Sequence, residues 1–298
     1  MKAVVTGATG FIGQELCAEL ENPAIMTRRP QSVPAALSGA RAFSWDPMFG
    51  PPSAEAFEGA DTVFHLAGEP VAEGRWTAAK KEAIRQSRII GTRNLVEGLA
   101  PLERKPRVLV CASAVGYYGT REDDIVTEAS QPGQGFLADV CRDWEAEAAR
   151  AEEHDIRAVS IRIGLVLGKR GGALQKILPI FRLCAGGPLG NGKQWMAWVH
   201  VEDLVELILH AARNDQMRGV FNGVAPNPVT NTVFTRALAN AVHRPAIFPA
   251  PAFALKLALG QFAEVLLASQ RVLPEAVERT GFRYKYPGID AALAECVS

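Results

Sequence analysis

The chain has 298 residues, 48% hydrophobic and 21% charged, enough to bury one large core or two closely joined ones. Its 32 basic and 32 acidic residues cancel, so no global positive field exists to hold nucleic acid or an anionic membrane, and neither is expected as a partner. Five scattered cysteines without a CxxC pair predict reduced thiols and a cytoplasmic protein, and no stretch reaches the roughly 20 apolar residues of a membrane span.

In chain order, short β-branched runs alternate with helical patterns over the first two thirds. Strands are predicted at Ala3 to Thr6, Ala24 to Thr27, Thr62 to Ala67, Arg107 to Ala112 and Arg157 to Ile163, with SWDP at 44–47 as a short extra strand or its end. Helices are predicted at Gln14 to Leu20, Lys80 to Leu99 and Asp139 to His154, and further on at Val201 to Arg213 and Asn231 to Ala241. This alternation predicts an α/β fold, a Rossmann-type doubly wound parallel sheet with a smaller C-terminal substrate lobe. The sheet domain is expected over 1–168, also taking in about 196–225, and the lobe over 169–195 and 226–298. The apolar run at 249–270 is interrupted by Lys256, Gly260, Gln261 and Glu264, so it reads as a buried or amphipathic helix.

The first strand runs into VVTGATGFIG, which sets Gly7, Gly10 and Gly13 at a strand-to-helix junction. A dinucleotide site needs such a turn: one glycine for the bend, one for close approach of the pyrophosphate, and one for tight packing of helix on strand. Thr9, Phe11 and Ile12 complete the loop, where the free N–H groups of a helix start face the phosphates. The second strand ends in IMTRRP. An NAD site offers a carboxylate near this point, but here stand Thr27 and Arg28, a hydroxyl and a guanidinium suited to a 2'-phosphate. The expected cofactor is therefore NADP, as NADPH; the alternative is a solvated basic turn.

TGATGFIG, DTVFHLAG, RIIGTRNLVEGL, ASAVGYYG and WVHVEDLVELI together resemble the extended short-chain dehydrogenase/reductases, the epimerase/dehydratase family. RIGLVLGKRGGAL, GGPLGNGKQWMAWVHVEDL and ASQRVLPEAVERTGFRYKYPGIDAAL are similar to an atypical, sugar-nucleotide epimerase-like branch with an uncharacterised C-terminal module. The resemblance covers essentially the whole chain. It implies that Leu66, Ala67 and Gly68 line the ribose and nicotinamide side of the cofactor and that Val166 touches the nicotinamide end. Glu82 and Arg88 are further expected contacts, Arg88 reaching the pyrophosphate from the place where the family carries Asn. Family members dimerise through helices like Lys80 to Leu99, so that face meets either a homodimer partner or its own chain.

The family chemistry pairs a Tyr with a Lys four residues on, where one helix face lets the ammonium stabilise the phenolate. No YxxxK exists in this sequence. Anchored on Glu145, the Tyr place falls on Leu137 and the Lys place on Cys141, for which a buried thiol is the expected state. Tyr117, Tyr118 and Ser113 remain as candidate catalytic groups. His200 and Asp203 are expected to fix the lobe to the sheet, and His65 to be a satisfied core residue. No His lies at metal-ligand spacing from Cys or carboxylates, so no metal is expected. Gly171 to Gly172, Gly186 to Gly192, Trp195 and Trp198 are expected to border the pocket of an unidentified small-molecule substrate. Two functions fit: an NADP(H)-dependent oxidoreductase or epimerase-like enzyme of non-standard mechanism, or a non-catalytic NADP(H)-binding redox sensor or scaffold.

Overall fold

The computed structural model describes residues 1–298. Its elements run β1 (Ala3–Thr6), α1 (Phe11–Ala18), β2 (Ala24–Thr27), β3 (Arg41–Ser44), β4 (Thr62–His65), α2 (Ala78–Leu99), β5 (Val108–Ala114), β6 (Ile125–Val126), α3 (Phe136–Ala149) and β7 (Arg157–Ile163). They continue with β8 (Leu165–Leu167), α4 (Gly172–Arg182), β9 (Trp195–Met196), β10 (Trp198–His200), α5 (Val201–Arg213), β11 (Gly219–Gly223), β12 (Val229–Thr230) and α6 (Asn231–Ala241). The chain ends with α7 (Ala252–Leu259), α8 (Ala263–Leu267), β13 (Arg271–Val272), α9 (Glu275–Arg279) and α10 (Ile289–Val297).

Seven strands form one sheet in the order β11-β7-β5-β4-β1-β2-β3, and every neighbouring pair is parallel. β1 and β4 are buried along their whole length, as both faces of a doubly wound sheet must be. Leu16 of α1 and Leu204, Leu207 and Ile208 of α5 cover one face with Val5, Phe64 and Val110. Leu95, Val96 and Leu99 of α2 cover the other with Val4, Val63 and Leu109. The strand order reverses between β1 and β4, which opens a crevice at their C-terminal ends.

Several boundaries differ from the expected ones. α1 begins at Phe11 because Gly10 already adopts the extended N-cap geometry, φ −77° and ψ 170°. The extra strand is Arg41–Ser44, so only the first residue of SWDP belongs to it, and Trp45 turns into the core. β11 is not among the expected strands; GVFNG closes the sheet edge against β7. The apolar C-terminal run is two short helices, broken at Gly260, which sits at φ +61°.

The lobe has its own core, in which Leu174 and Leu178 of α4 meet Trp198, Phe234, Leu238 and Leu293. Asp203 joins it to α5 by accepting the backbone amides of Lys285 (2.6 Å) and Tyr286 (2.9 Å). His200 pairs with Glu295 of α10 at 2.9 Å. Both residues thus fasten the lobe to the sheet, the role expected of them. No helix is long and apolar enough to cross a membrane.

Candidate cofactor and active site

The crevice floor is built by close backbone packing. Gly7 stands at φ +71°, and a Cβ there would lie 2.6 Å from the Leu66 carbonyl carbon. A Cβ on Gly13 would lie 2.2 Å from the Gly7 oxygen, so only glycines let β1, α1 and the end of β4 converge. Gly10 and Thr9 are exposed on the loop, and α1 starts without a side-chain cap. Its first amides therefore remain available to an anion. Phe11 and Ile12 are half-buried, and the Phe11 ring packs on the turn from Gly168 to Gly172. Val166, half-buried in β8, pairs with Val199 and has its carbonyl at the same turn.

Beneath this floor Thr6, His65 and Thr92 form a buried relay. The two His65 nitrogens pair with Thr6 Oγ1 at 2.7 Å and Thr92 Oγ1 at 2.9 Å, while Thr6 Oγ1 also accepts the Ala67 amide at 3.2 Å. β1, β4 and α2 are tied together under Leu66, Ala67 and Gly68. Burial, reinforced by the positive charge of Arg88, pushes the His65 pKa down to about 3, so the ring is neutral and satisfied, as expected.

At the C-terminal end of β2, Thr27 Oγ1 accepts the Arg29 amide at 3.2 Å. Arg28 is exposed and forms neither an ion pair nor a side-chain hydrogen bond. A cation held at that strand end without a carboxylate neighbour suits an anionic ligand.

Arg88, expected at the pyrophosphate, rests against the end of β4 and α3. Its guanidinium donates to the Glu69 carbonyl at 3.0 Å and the Ile84 carbonyl at 3.2 Å. It covers the Trp144 ring at 5.1 Å and presses on Gly68, where a Cβ would meet it at 3.2 Å. Burial lowers its pKa against the opposing pull of Cys141, Glu69 and Cys111. α2 thus delivers a half-buried cation to the side of α3 that carries Cys141. Glu82 is exposed on α2 and accepts a hydrogen bond from Gln86 at 2.7 Å.

On the other side of the crevice the expected catalytic groups are tied to one another. Ser113 Oγ donates to Glu145 at 2.6 Å. Arg162 forks onto both Glu145 oxygens at 2.8 Å each and donates to the Tyr118 hydroxyl at 3.0 Å. That hydroxyl donates in turn to Asn222 Oδ1 at 2.7 Å. Burial lowers the Arg162 pKa, but the hydrogen bonds and charge of Glu145, with Tyr118, outweigh it and raise the net value. Tyr118 is fully buried, and burial, only partly opposed by Arg162, pushes it up to about 12. Tyr118, a candidate acid, thus lies fully buried with both of its hydrogen-bonding roles used within the protein. Ser113 is likewise buried, with its proton donated to Glu145.

Tyr117 differs from its neighbour. It is half-buried, its ring lies flat on the Arg162 guanidinium with the central carbon 3.3 Å from the centroid, and its hydroxyl has no protein partner. Leu137 fills the Tyr place and packs against Gly116, where a Cβ would lie 3.2 Å from the Leu137 Cβ. Cys141 fills the Lys place, and burial pushes its thiol up to about 11. That is the inert thiol expected there.

Sequence spacing missed two groupings. Trp76 contacts Phe136 edge-on at 5.4 Å and Phe262 at 6.0 Å, while Arg75 donates to the Leu257 carbonyl at 2.8 Å and Lys176 to the Ala72 carbonyl at 3.0 Å. These contacts close the lobe over the crevice. Of the tryptophans expected to border a pocket, Trp198 is buried in the lobe core and half-buried Trp195 donates to Asp123. Second, His200, Glu295 and Cys296 bring potential ligand atoms within 4.8 Å of one another. His200 Nδ1 accepts the Glu202 amide, which leaves the ring proton on Nε2 facing Glu295, an arrangement complete as a hydrogen bond.

The parallel sheet, its reversal at β1 and β4, and the glycine turn define a dinucleotide-binding protein of the short-chain dehydrogenase/reductase kind. The chain belongs to the NAD-dependent epimerase/dehydratase family, whose profile matches residues 3–222; a Domain of unknown function (DUF1731) matches residues 250–296. The chloroplastic SDR39U1 homologue of Arabidopsis thaliana is 44% identical, over 98% of this chain and 86% of that protein. The epimerase family protein ML0860 of Mycobacterium leprae is 38% identical, over 98% of this chain and 95% of its own. Among solved structures, human SDR39U1 (isoform 2), crystallised with NADPH, superposes with a TM-score of 0.89 at 32% identity, over 100% of this chain and 99% of that one.

Proposed function

We propose that this chain binds NADPH and acts as an oxidoreductase or epimerase-like enzyme without the Tyr and Lys pair. The observation that carries the cofactor choice is Arg28, exposed and unpaired at the end of β2 with no carboxylate beside it. The NADPH held by human SDR39U1 supports the same choice. When bound, the cofactor supplies the redox chemistry. Gly7, Thr9, Gly10, Phe11, Ile12 and Gly13 would hold its pyrophosphate, Thr27 and Arg28 its 2'-phosphate, and Leu66, Ala67, Gly68 and Val166 its remaining length. Arg88 would supply, from α2, the cation that Cys141 cannot supply from α3, and Glu82 would stand at the outer end of the same helix. Tyr117 is the remaining candidate to hold or pass a proton, because its hydroxyl alone among the expected catalytic groups is unclaimed. The five unpaired thiols suit a reducing compartment such as the cytoplasm.

A second reading, an NADPH-dependent sensor or scaffold, is favoured by the closed network around Ser113, Glu145, Arg162 and Tyr118, which spends on structure the groups that catalysis would need.

Titration separates right from wrong at the cofactor. NADPH should bind more tightly than NADH, and Arg28→Ala should remove about tenfold or more of that preference, the worth of a charge-assisted hydrogen bond; equal affinities in the unaltered protein reject the assignment. Arg88→Ala should weaken both cofactors alike, and unchanged affinity removes Arg88 from the site. Turnover of carbonyl or nucleotide-sugar substrates that Tyr117→Phe abolishes would select the enzyme over the sensor.

A further inference from the structure

The neutral charge of the whole chain conceals a strong local imbalance. From Ile156 to Val201, and again from Gln216 to Ala263, the sequence contains no Asp or Glu. These segments build most of the lobe, including α4, α6 and α7. Lys176, Arg182, Arg244 and Lys256 stand exposed on them. Seven of the eleven large apolar side chains exposed in the entire molecule are there too: Ile180 (49%), Leu183 (79%), Val233 (41%), Ile247 (69%), Phe248 (60%), Phe253 (75%) and Leu257 (78%). The helix α7, AFALKLAL, has no buried residue at all.

The exposed side chains of α4 and α7 stand on neighbouring elements. Lys176 and Ile180 are four apart on α4 with Leu183 capping its end, and on α7 Lys256 and Leu257 lie three and four residues after Phe253, so each set forms a stripe. Between the stripes, the Phe248 amide donates to the Gly186 carbonyl, and Pro188 and Gly190 exchange backbone hydrogen bonds with Ala250. α4 and α7 also reach the same loop, Lys176 at Ala72 and Arg75 at Leu257. Carboxylates flank these stretches in the chain, Glu73 in that loop and Glu264 just beyond α7.

We propose that this face docks on the surface of an anionic lipid bilayer. Apolar side chains of this size and exposure enter the headgroup and acyl boundary, while flanking lysines and arginines meet lipid phosphates. A second copy fits poorly, because a two-fold contact would set these cations against their own counterparts with no carboxylate to receive them. Nucleic acid would answer the cations and leave Phe253, Leu257 and Leu183 in water. Docking here would hold the mouth of the crevice, at residues 72–75, close to the lipid. The proposal is independent of the cofactor reading.

The test is flotation of the full chain with vesicles of phosphatidylcholine alone or enriched in phosphatidylglycerol. The protein should float with the anionic vesicles, and less so as salt rises. Arg182→Glu/Lys256→Glu and, separately, Phe253→Ser/Leu257→Ser should each lower the bound fraction about tenfold or more, with NADPH affinity and thermal midpoint unchanged in both. Either pair alone suffices as a test should the other fail to fold. Absence of flotation, equal flotation with neutral vesicles, or indifference to both pairs overturns the proposal. So does a dimer in solution that Phe253→Ser/Leu257→Ser converts to monomer.

Discussion

The two sides of the crevice are built on opposite principles. On the side of β1, β2 and β4, groups are left over: the amides at the start of α1, the Arg28 guanidinium, and the exposed turn at Gly10. On the side of β5, α3 and β7, the polar side chains answer one another, from Ser113 through Glu145 and Arg162 to Tyr118 and Asn222. A buried polar group must be satisfied, and the protein can satisfy it internally or leave it for a ligand. The contrast therefore separates a surface kept for binding from one spent on holding three elements together. From α2, Arg88 stands beside Cys141, and Arg162 with Glu145 ties α3 to β7.

The contrast is most severely tested at the clamp. Arg162→Met leaves Glu145 buried without its cation and should cost about 3–5 kcal/mol of stability. Arg162→Met/Glu145→Met should recover much of that loss, because the charge left behind has gone. Urea unfolding of the single and double variants measures both; equal stability of all forms would mean that the network is not a clamp.

Under the binding side lies a smaller effect with a pH signature. His65 titrates near 6.5 when unfolded and near 3 when folded, so between those values the unfolded chain binds the extra proton. Stability is full above about 6.5 and falls as pH drops through that window, by about 1.4 kcal/mol per pH unit. From neutrality to pH 5 the expected loss is about 2 kcal/mol. His65→Gln should flatten that part of the profile, and an unaltered slope would assign the loss to other groups.

The binding side was legible in sequence and the clamp was not, for a physical reason. Strands buried on both faces read as continuous apolar runs, and the turn from Gly7 to Gly13 lies within one short segment. The clamp joins residues 32, 17, 44 and 104 positions apart, a separation that no local spacing reports. Arg88 was legible as a candidate, but its resting contacts were not, since a long side chain on a known helix face can still end at Trp144 and Gly68. β11 was hidden because GVFNG surrounds its apolar pair with two glycines and an Asn. The acid-free lobe was present in the composition all along, averaged away by counting charges over the whole chain.

The finest distinction falls between two adjacent tyrosines. Tyr118→Phe removes a hydroxyl that both accepts from Arg162 and donates to Asn222, leaving Arg162 Nη1 and Asn222 Oδ1 without that partner. The expected cost is about 1–3 kcal/mol. Tyr117→Phe removes a hydroxyl that pairs with nothing in the protein, while the ring can stay on the Arg162 guanidinium. Its stability should change by no more than about 0.5 kcal/mol. A large loss at Tyr117 would mean that its hydroxyl is tied into the fold like that of Tyr118, and the last group available for proton transfer would disappear from the crevice. A stable Tyr117→Phe protein that binds NADPH normally, but has lost turnover, would instead put the chemistry on the one hydroxyl the clamp leaves free.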